Sequence, residues 1–145
     1  MSILLKKVCP AQASDLINFL EQVKLPTSDL PTDLSSFTLA LDGAQIVGSA
    51  GMELLGNVGL LRSVAVAETH RNQNIGQQLF NAALDYARLN AVQEVFLITN
   101  TAAPYFEKNG FRQVDRADVP IEILETKQFS ALCPASAIVM KIALN

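Results

Sequence analysis

The chain has only two cysteines, Cys9 and Cys133, and a single histidine in its 145 residues. The two cysteines lie far apart and neither belongs to a CxxC pair, so the sequence predicts free thiols and no metal site. No apolar run is long enough to span a bilayer, and at the start two lysines follow a very short apolar stretch, unlike a signal peptide. These absences predict a cytoplasmic protein that has no membrane segment.

Charged residues are also scarce: they make up 17% of the chain, and the formal net charge is −3. Such a weakly acidic chain disfavours nucleic acid and anionic membranes as partners. Hydrophobic residues make up 50% of the sequence, which excludes intrinsic disorder as the main state. The length suits a single domain, residues 1–145, with a core of its own.

Hydrophobic periodicity and turn residues divide the chain into short strands and helices. Asp42-Gly43 and Gly56-Asn57 predict tight turns between consecutive strands, and therefore an antiparallel meander. The predicted strands cover residues 3–8, 37–41, 45–54, 58–66, 95–98, 111–114 and 137–143. The predicted helices begin at Pro10 and cover residues 75–89, 102–108 and 119–131. The inner face of the helix over 75–89 is predicted to consist of Ile75, Leu79, Ala82, Tyr86 and Leu89.

The central stretch is residues 60–76, LLRSVAVAETHRNQNIG, in which an apolar strand passes through a polar loop into a helix. Such a junction lines up free backbone N–H groups at the positive end of a helix dipole, where phosphate binds. Arg71 adds a planar cation, Asn74 tolerates the left-handed conformation that an anion nest needs, and Gly76 allows close approach. Many such junctions bind nothing, so these residues alone leave both interpretations open.

Two motifs in this order resemble those of the GNAT superfamily of N-acetyltransferases. Residues 64–66 (VAV) followed by 71–76 (RNQNIG) resemble its acetyl-CoA loop, Q/R-x-x-G-x-G/A, with Asn74 in place of the first glycine. Residues 100–111 (NTAAPYFEKNGF) resemble its second motif, N-x-x-A-x-x-F-Y-x-K-x-G-F. The resemblance covers nearly the whole chain. It implies an α/β (α+β) fold, in which a mixed, mostly antiparallel sheet of about seven strands is flanked by helices and splayed at its central strands.

The resemblance also implies acetyl-CoA as the cosubstrate, with no metal. The backbone of the central strand would hold the pantetheine arm, and the loop amides would hold the pyrophosphate. The residues implied in cofactor binding are Val64, Ala65, Val66, Arg71, Asn72, Gln73, Asn74, Ile75, Gly76, Gln77, Asn100 and Phe106. The alternative for Asn100, slightly favoured, is a role only as an N-cap for the next helix, and the two roles are compatible. Phe106 takes the place of the family's tyrosine, and adjacent helical positions point about 100° apart, so Tyr105 is not a simple substitute for that acid.

Glu53 is the candidate general base, because its strand lies beside the central one near the expected mouth of the cleft. A solvent-facing glutamate near a strand end is at least as common. Glu68 and His70 lie on the phosphate loop and are interpreted as loop-shaping or surface residues.

Arg62 is the main indication of an acceptor. Strand alternation predicts that it shares a face with Leu60, Val64 and Val66. A buried arginine needs a partner, which is either the acceptor's carboxylate or an internal acid such as Glu53. The segment Leu61-Arg62-Ser63 resembles N-acetylglutamate-synthase-like members, where such an arginine helps to hold an amino-acid carboxylate, and this implies a substrate role for Arg62 and Ser63.

Further segments resemble bacterial arsenic-resistance N-acetyltransferases, and that likeness implies that Cys133 and Ser136 border the acceptor pocket. For Cys133, a small buried apolar role is the favoured alternative. The leading hypothesis is direct acetyl transfer to the amine of a small amino-acid-like molecule. The alternatives are a protein or peptide N-acetyltransferase and a CoA-binding regulatory module. A homodimer through an edge strand near the C-terminus is left open.

Overall fold

The computed structural model describes residues 3–25, 27–31, 33–71, 73–99, 102–126, 128–129 and 137–144. Its strands are β1 Ile3–Lys7, β2 Phe37–Asp42, β3 Gln45–Leu55, β4 Val58–Val66, β5 Glu94–Thr99, β6 Arg112–Val114 and β7 Ile138–Ala143. Its α-helices are α1 Ala13–Gln22, α2 Ile75–Leu89, α3 Ala103–Lys108 and α4 Ile121–Leu124. Within these ranges, no helix has the length and apolarity that a bilayer crossing requires.

The seven strands form one sheet in the order β1-β2-β3-β4-β5-β7-β6. Every neighbouring pair is antiparallel except β4 and β5, which run parallel. These two strands pair only at their beginnings, and the last pair is Leu60 with Phe96. Because β4 continues to Val66 and β5 to Thr99, the strands part and leave a cleft between them. The predicted fold, with its splayed mixed sheet, is confirmed.

A β-bulge at Ser63 lies at the point where β4 leaves β5. Arg62 pairs with Gly51 and Ala65 pairs with Ser49, so two β4 residues oppose a single β3 residue. Ser63 has a φ of 55°, the left-handed conformation that such an extra residue can require. The inserted residue reverses the side-chain alternation. The prediction that Arg62 shares a face with Val64 and Val66 is therefore wrong: both valines pack in the α2 core, whereas Arg62 faces the other side.

The helix α2 packs across β3 and β4 and covers one face of the sheet. A Cβ on Gly48 would lie 2.7 Å from a Leu79 methyl, so a side chain there would displace Leu79 where helix and strand meet. The predicted inner face of α2 is partly wrong, since Leu89 is 86% exposed. The buried side of the helix consists instead of Ile75, Leu79, Phe80, Ala83, Leu84 and Ala87.

The other face of the sheet carries α1 and α4. Leu16, Phe19 and Leu20 of α1 pack on β2, and Ile123 of α4 packs near Leu60. The predicted helix over 119–131 is interrupted: α4 covers Ile121–Leu124, residues 125–126 leave the helix, and residues 128–129 are again helical. Residues 127, 130 and 131 of the predicted range lie outside the described residues. The hydroxyl of Thr126 donates to the Ile123 carbonyl and accepts from the Phe129 N–H, so this side chain competes with helical backbone bonds.

Candidate active site

The cleft between β4 and β5 exposes a strand edge that can accept an extended ligand. Beyond Leu60, β4 is paired with β3 on one side only. An extended chain can therefore add to the free edge as a strand would. At the far end of this edge, Arg71 Nε donates to the Val66 carbonyl at 3.3 Å, and its exposed guanidinium lies beside the strand end.

The start of α2 meets the end of this edge. Asn74 has φ 64° and ψ 14°, the left-handed conformation that the sequence predicted for an anion nest. The first amide bonded back along the helix is that of Gln78, to the Asn74 carbonyl at 3.2 Å. The N–H groups of Ile75, Gly76 and Gln77 precede it and have no intrahelical acceptor. They form a compact donor set at the positive end of a helix dipole.

Gly76 leaves space at this donor set that the protein itself does not fill. A Cβ there would lie 3.6 Å from Val66 Cγ2 and 4.0 Å from the Tyr105 hydroxyl, which are ordinary contacts. Packing within the chain therefore does not demand a glycine at this position. A pyrophosphate seated on the amides would come close to this first turn, so the residues present fit such a group.

Tyr105 is a site residue that motif alignment missed. Phe106, in the family's tyrosine position, is only 8% exposed and packs against the rings of Phe80 and Phe111. Neighbouring helical residues diverge by about 100°. The Tyr105 ring packs edge-on against Phe106, with centroids 5.2 Å apart, and its hydroxyl lies 4.0 Å from where a Cβ on Gly76 would be. Partial burial raises the pKa of Tyr105, so the hydroxyl remains a hydrogen-bond donor at neutral pH. Helical phase, rather than the motif, is the signal that identifies it.

His70 fastens the loop before α2 to the β2–β3 hairpin. Its Nε2 lies 2.9 Å from Asp42 Oδ2, and its Nδ1 lies 2.8 Å from Thr69 Oγ1. The Ala67 N–H also donates to the Val47 carbonyl at 2.7 Å. His70 is 9% exposed, so it is a buried support of the loop, in line with the loop-shaping interpretation.

At the apex of the cleft, Arg62 joins two carboxylates. Its Nη1 lies 2.9 Å from Glu53 Oε2, and its Nη2 lies 2.9 Å from Asp29 Oδ2. Nη1 also donates to the Asp29 carbonyl at 3.1 Å, and Nε donates to Ser63 Oγ at 3.4 Å. Glu53 pairs across the sheet with Leu60, the last β4 residue joined to β5. The internal ion pair that the sequence left open for Arg62 is present.

Asp29, on the connection between α1 and β2, was not identified from the sequence. It is 3% exposed. Its 2.9 Å contact with Arg62 is an ion pair without hydrogen-bond alignment, and neither carboxylate oxygen accepts a hydrogen bond from the described residues. A buried aspartate in a loop leaves no periodic pattern, and the arginine in strand β4 indicated only that some partner was needed.

Four predicted site residues, Asn72, Asn100, Cys133 and Ser136, lie outside the described residues, and their roles stay predictions. Near Asn100, the Ala102 N–H donates to Thr99 Oγ1 at 3.0 Å, so Thr99 fixes the turn that leads into α3. Within the described ranges, no three His, Cys, Asp or Glu side chains come together as a metal site would require.

Comparisons with known proteins agree on one family. A family model described as an acetyltransferase (GNAT) domain matches residues 33–113. The chain is similar to the amino-acid acetyltransferase of Aeromonas salmonicida, with 25% identity over 114 residues that cover 74% of this chain. That alignment covers only 26% of the relative, so the chain spans about a quarter of its length.

Solved structures show the same fold. N-acetylglutamate synthase from Neisseria gonorrhoeae, complexed with coenzyme A and N-acetyl-glutamate, matches with a TM-score of 0.85 and 12% identity, over 100% of this chain and 36% of that chain. A GNAT-family acetyltransferase from Staphylococcus aureus matches with a TM-score of 0.80 and 23% identity, over 99% of this chain and 100% of that chain. At these identities the likeness concerns the fold alone.

Proposed function

The chain belongs to the GNAT family of acetyltransferases, and from that premise we propose that it transfers an acetyl group from acetyl-CoA directly to the amine of a small, amino-acid-like acceptor. The observation that carries the proposal is the parting of β4 and β5 after Leu60, beside the unpaired amides that open α2. The name of the Aeromonas relative supports an acceptor of amino-acid type.

In this proposal, acetyl-CoA supplies an activated acetyl thioester, and the chain holds it by backbone groups. The free edge of β4 at Val64, Ala65 and Val66 receives the pantetheine arm as an added strand. The amides and side chains over residues 71–77 receive the pyrophosphate. The hydroxyl of Tyr105 adds a donor above Gly76. Phe106 supports this site from beneath, through its ring contacts with the α2 core.

Glu53 is the proposed base at the apex. An ammonium with a pKa near ~10 must lose a proton before its nitrogen attacks, and a carboxylate can take it directly or through water. The N–C bond forms as the C–S bond breaks, the thiolate takes one proton and a second proton goes to solvent. Arg62 and Ser63 keep their proposed place beside the acceptor, although an acceptor carboxylate would have to compete with Glu53 and Asp29 for the guanidinium.

The test is an acetylation screen that measures the release of free thiol from acetyl-CoA. The panel contains free amino acids, their phosphino and arsenical analogues, and short peptides. We expect turnover with small amines and none with peptides. Turnover of peptides alone would favour a protein acetyltransferase. Thermal stabilisation by acetyl-CoA without any turnover would favour a CoA-binding module.

A further inference from the structure

We infer that the acceptor is recognised through its ammonium end, by the carboxylates around Arg62, and not through a carboxylate held by Arg62. The inference rests on the proposed transfer to a small amine. It names the class of acceptor: primary amines for which a carboxylate beside the reacting nitrogen brings no advantage.

The first reason is that the chain's own acids already engage the guanidinium of Arg62. Both terminal nitrogens contact carboxylate oxygens of Glu53 and Asp29 at 2.9 Å, and Nε faces Ser63 Oγ at 3.4 Å. The residue is 4% exposed. A bidentate clasp on an incoming carboxylate needs two open N–H groups on one side of the guanidinium. Such a clasp would have to expel one of the chain's own acids from a buried pair.

The second reason is the balance of charge. Two acids share one guanidinium, so the ionised cluster carries a net charge of −1. The carboxylate oxygens of Asp29 are buried and accept no hydrogen bond from the described residues. A buried carboxylate in that state is stabilised by a donor or a positive charge. Of the two acids, Glu53 lines a cavity that Asp29 does not line. An ammonium at Glu53 would bring three N–H donors and a positive charge to the cluster, whereas a further carboxylate would meet like charges.

The third reason is the cavity that reaches Glu53. It has a volume of about 280 Å³ and lies between the connection before β2 and the end of β3. Its lining contains Glu53, Asp33 and two serine hydroxyls, and none of its described lining residues is a lysine or an arginine. The Ser35 N–H donates to Asp33 Oδ1 at 2.9 Å, and this bond lowers the pKa of Asp33. Asp33 therefore stays ionised at neutral pH, and the cavity suits a second cationic nitrogen.

The decisive experiment compares each amino acid with the amine that lacks only its carboxylate. The pairs are lysine with 1,5-diaminopentane and ornithine with 1,4-diaminobutane, with kcat/KM measured from thiol release at saturating acetyl-CoA. We expect equal or higher values for the diamines, up to about tenfold, because like charges in a buried site are unfavourable. A preference for the amino acids would overturn the inference and leave the proposed function intact. Release of thiol with no amine at all would contradict both.

Variants test the role of the cavity separately. Because Asp33 is exposed, Asp33→Asn is expected to fold normally and to raise KM for the diamines by about tenfold, with KM for acetyl-CoA unchanged. Asp33→Glu should restore most of the loss. Asp85→Asn is the matched control, because it removes the same charge from an exposed pair with Arg88 on α2. An unchanged KM for the diamines in Asp33→Asn, or an equal change in the control, would contradict the inference.

Discussion

Arg62 shows how one buried charge organises its surroundings. Its guanidinium lies at the bulge of β4, where it joins β3 through Glu53 and the loop before β2 through Asp29. Breaking a buried ion pair by removing one partner leaves an uncompensated charge in a poorly hydrated site. We therefore expect removal of this arginine to destabilise the fold.

Arg62→Met keeps a similar volume and removes the charge, so Asp29 loses its counter-ion. We expect the free energy of unfolding to fall by about 3–5 kcal/mol, measured by denaturant unfolding. Arg88→Met is the control, because it removes an exposed pair with Asp85 that contributes about 0–1 kcal/mol. If the free energy of unfolding fell by the same small amount in both variants, the buried ion pairs of Arg62 would not contribute more to stability than the exposed pair.

At Gly76, a substitution is expected to weaken ligand binding without lowering the stability of the fold. A Cβ at this position meets only ordinary contacts at 3.6 and 4.0 Å, and alanine favours a helix over glycine by up to about 1 kcal/mol. We expect Gly76→Ala to unfold at the same or a higher temperature and to bind acetyl-CoA about tenfold more weakly, a loss of about 1.4 kcal/mol. Calorimetric titration measures the affinity. An unchanged affinity would contradict the proposed position of the pyrophosphate at this turn.

At the level of elements, the junction between β4 and α2 combines a bulge, a free strand edge and a left-handed cap. The loop between them is fixed by His70 on Asp42 and by the Ala67 amide on Val47. These bonds hold the loop before any ligand binds, so the amides of α2 are aimed in advance and little ordering entropy is lost on binding.

Substitutions at Asn74 test whether the left-handed backbone conformation before α2 matters for binding. Glycine adopts φ near 64° freely, whereas a β-branched residue does so at a cost of about 1–2 kcal/mol. We expect Asn74→Gly to bind acetyl-CoA as the parent does, and Asn74→Val to bind it several-fold more weakly. The acetyl-CoA affinities of both variants are measured by the same calorimetric titration. Equal binding by both variants would show that the left-handed cap does not set the amide geometry.

At the level of the molecule, the sheet has separate cores on its two faces, and the cleft is a gap in its middle. One core lies under α2, and the others lie under α1 and α4. A cofactor in the cleft would join the two halves of the sheet, β1–β4 and β5–β7, where strand pairing ends at Leu60 and Phe96.

Binding of acetyl-CoA should therefore stabilise the whole molecule. At a ligand concentration one hundred times the Kd, the expected gain is about 2.7 kcal/mol, seen as a higher unfolding temperature. Amide hydrogen exchange should slow most at residues 61–66 and at the start of α2, with little change in β1. Protection confined to other elements would contradict the proposed position of the cofactor.

The sequence by itself determined the local elements, because hydrophobic periodicity and turn residues act over short distances. Strand β4 and helix α2 match their predicted bounds, Asn74 has its predicted conformation, and the two motifs identified the family. Long-range pairing decided the rest. The bulge at Ser63, which depends on the register with β3, put Val64 and Val66 on the opposite face from Arg62. The pairing of Asp29 with Arg62 joins residues from separate parts of the chain, and no sequence spacing encodes a contact that only folding brings about.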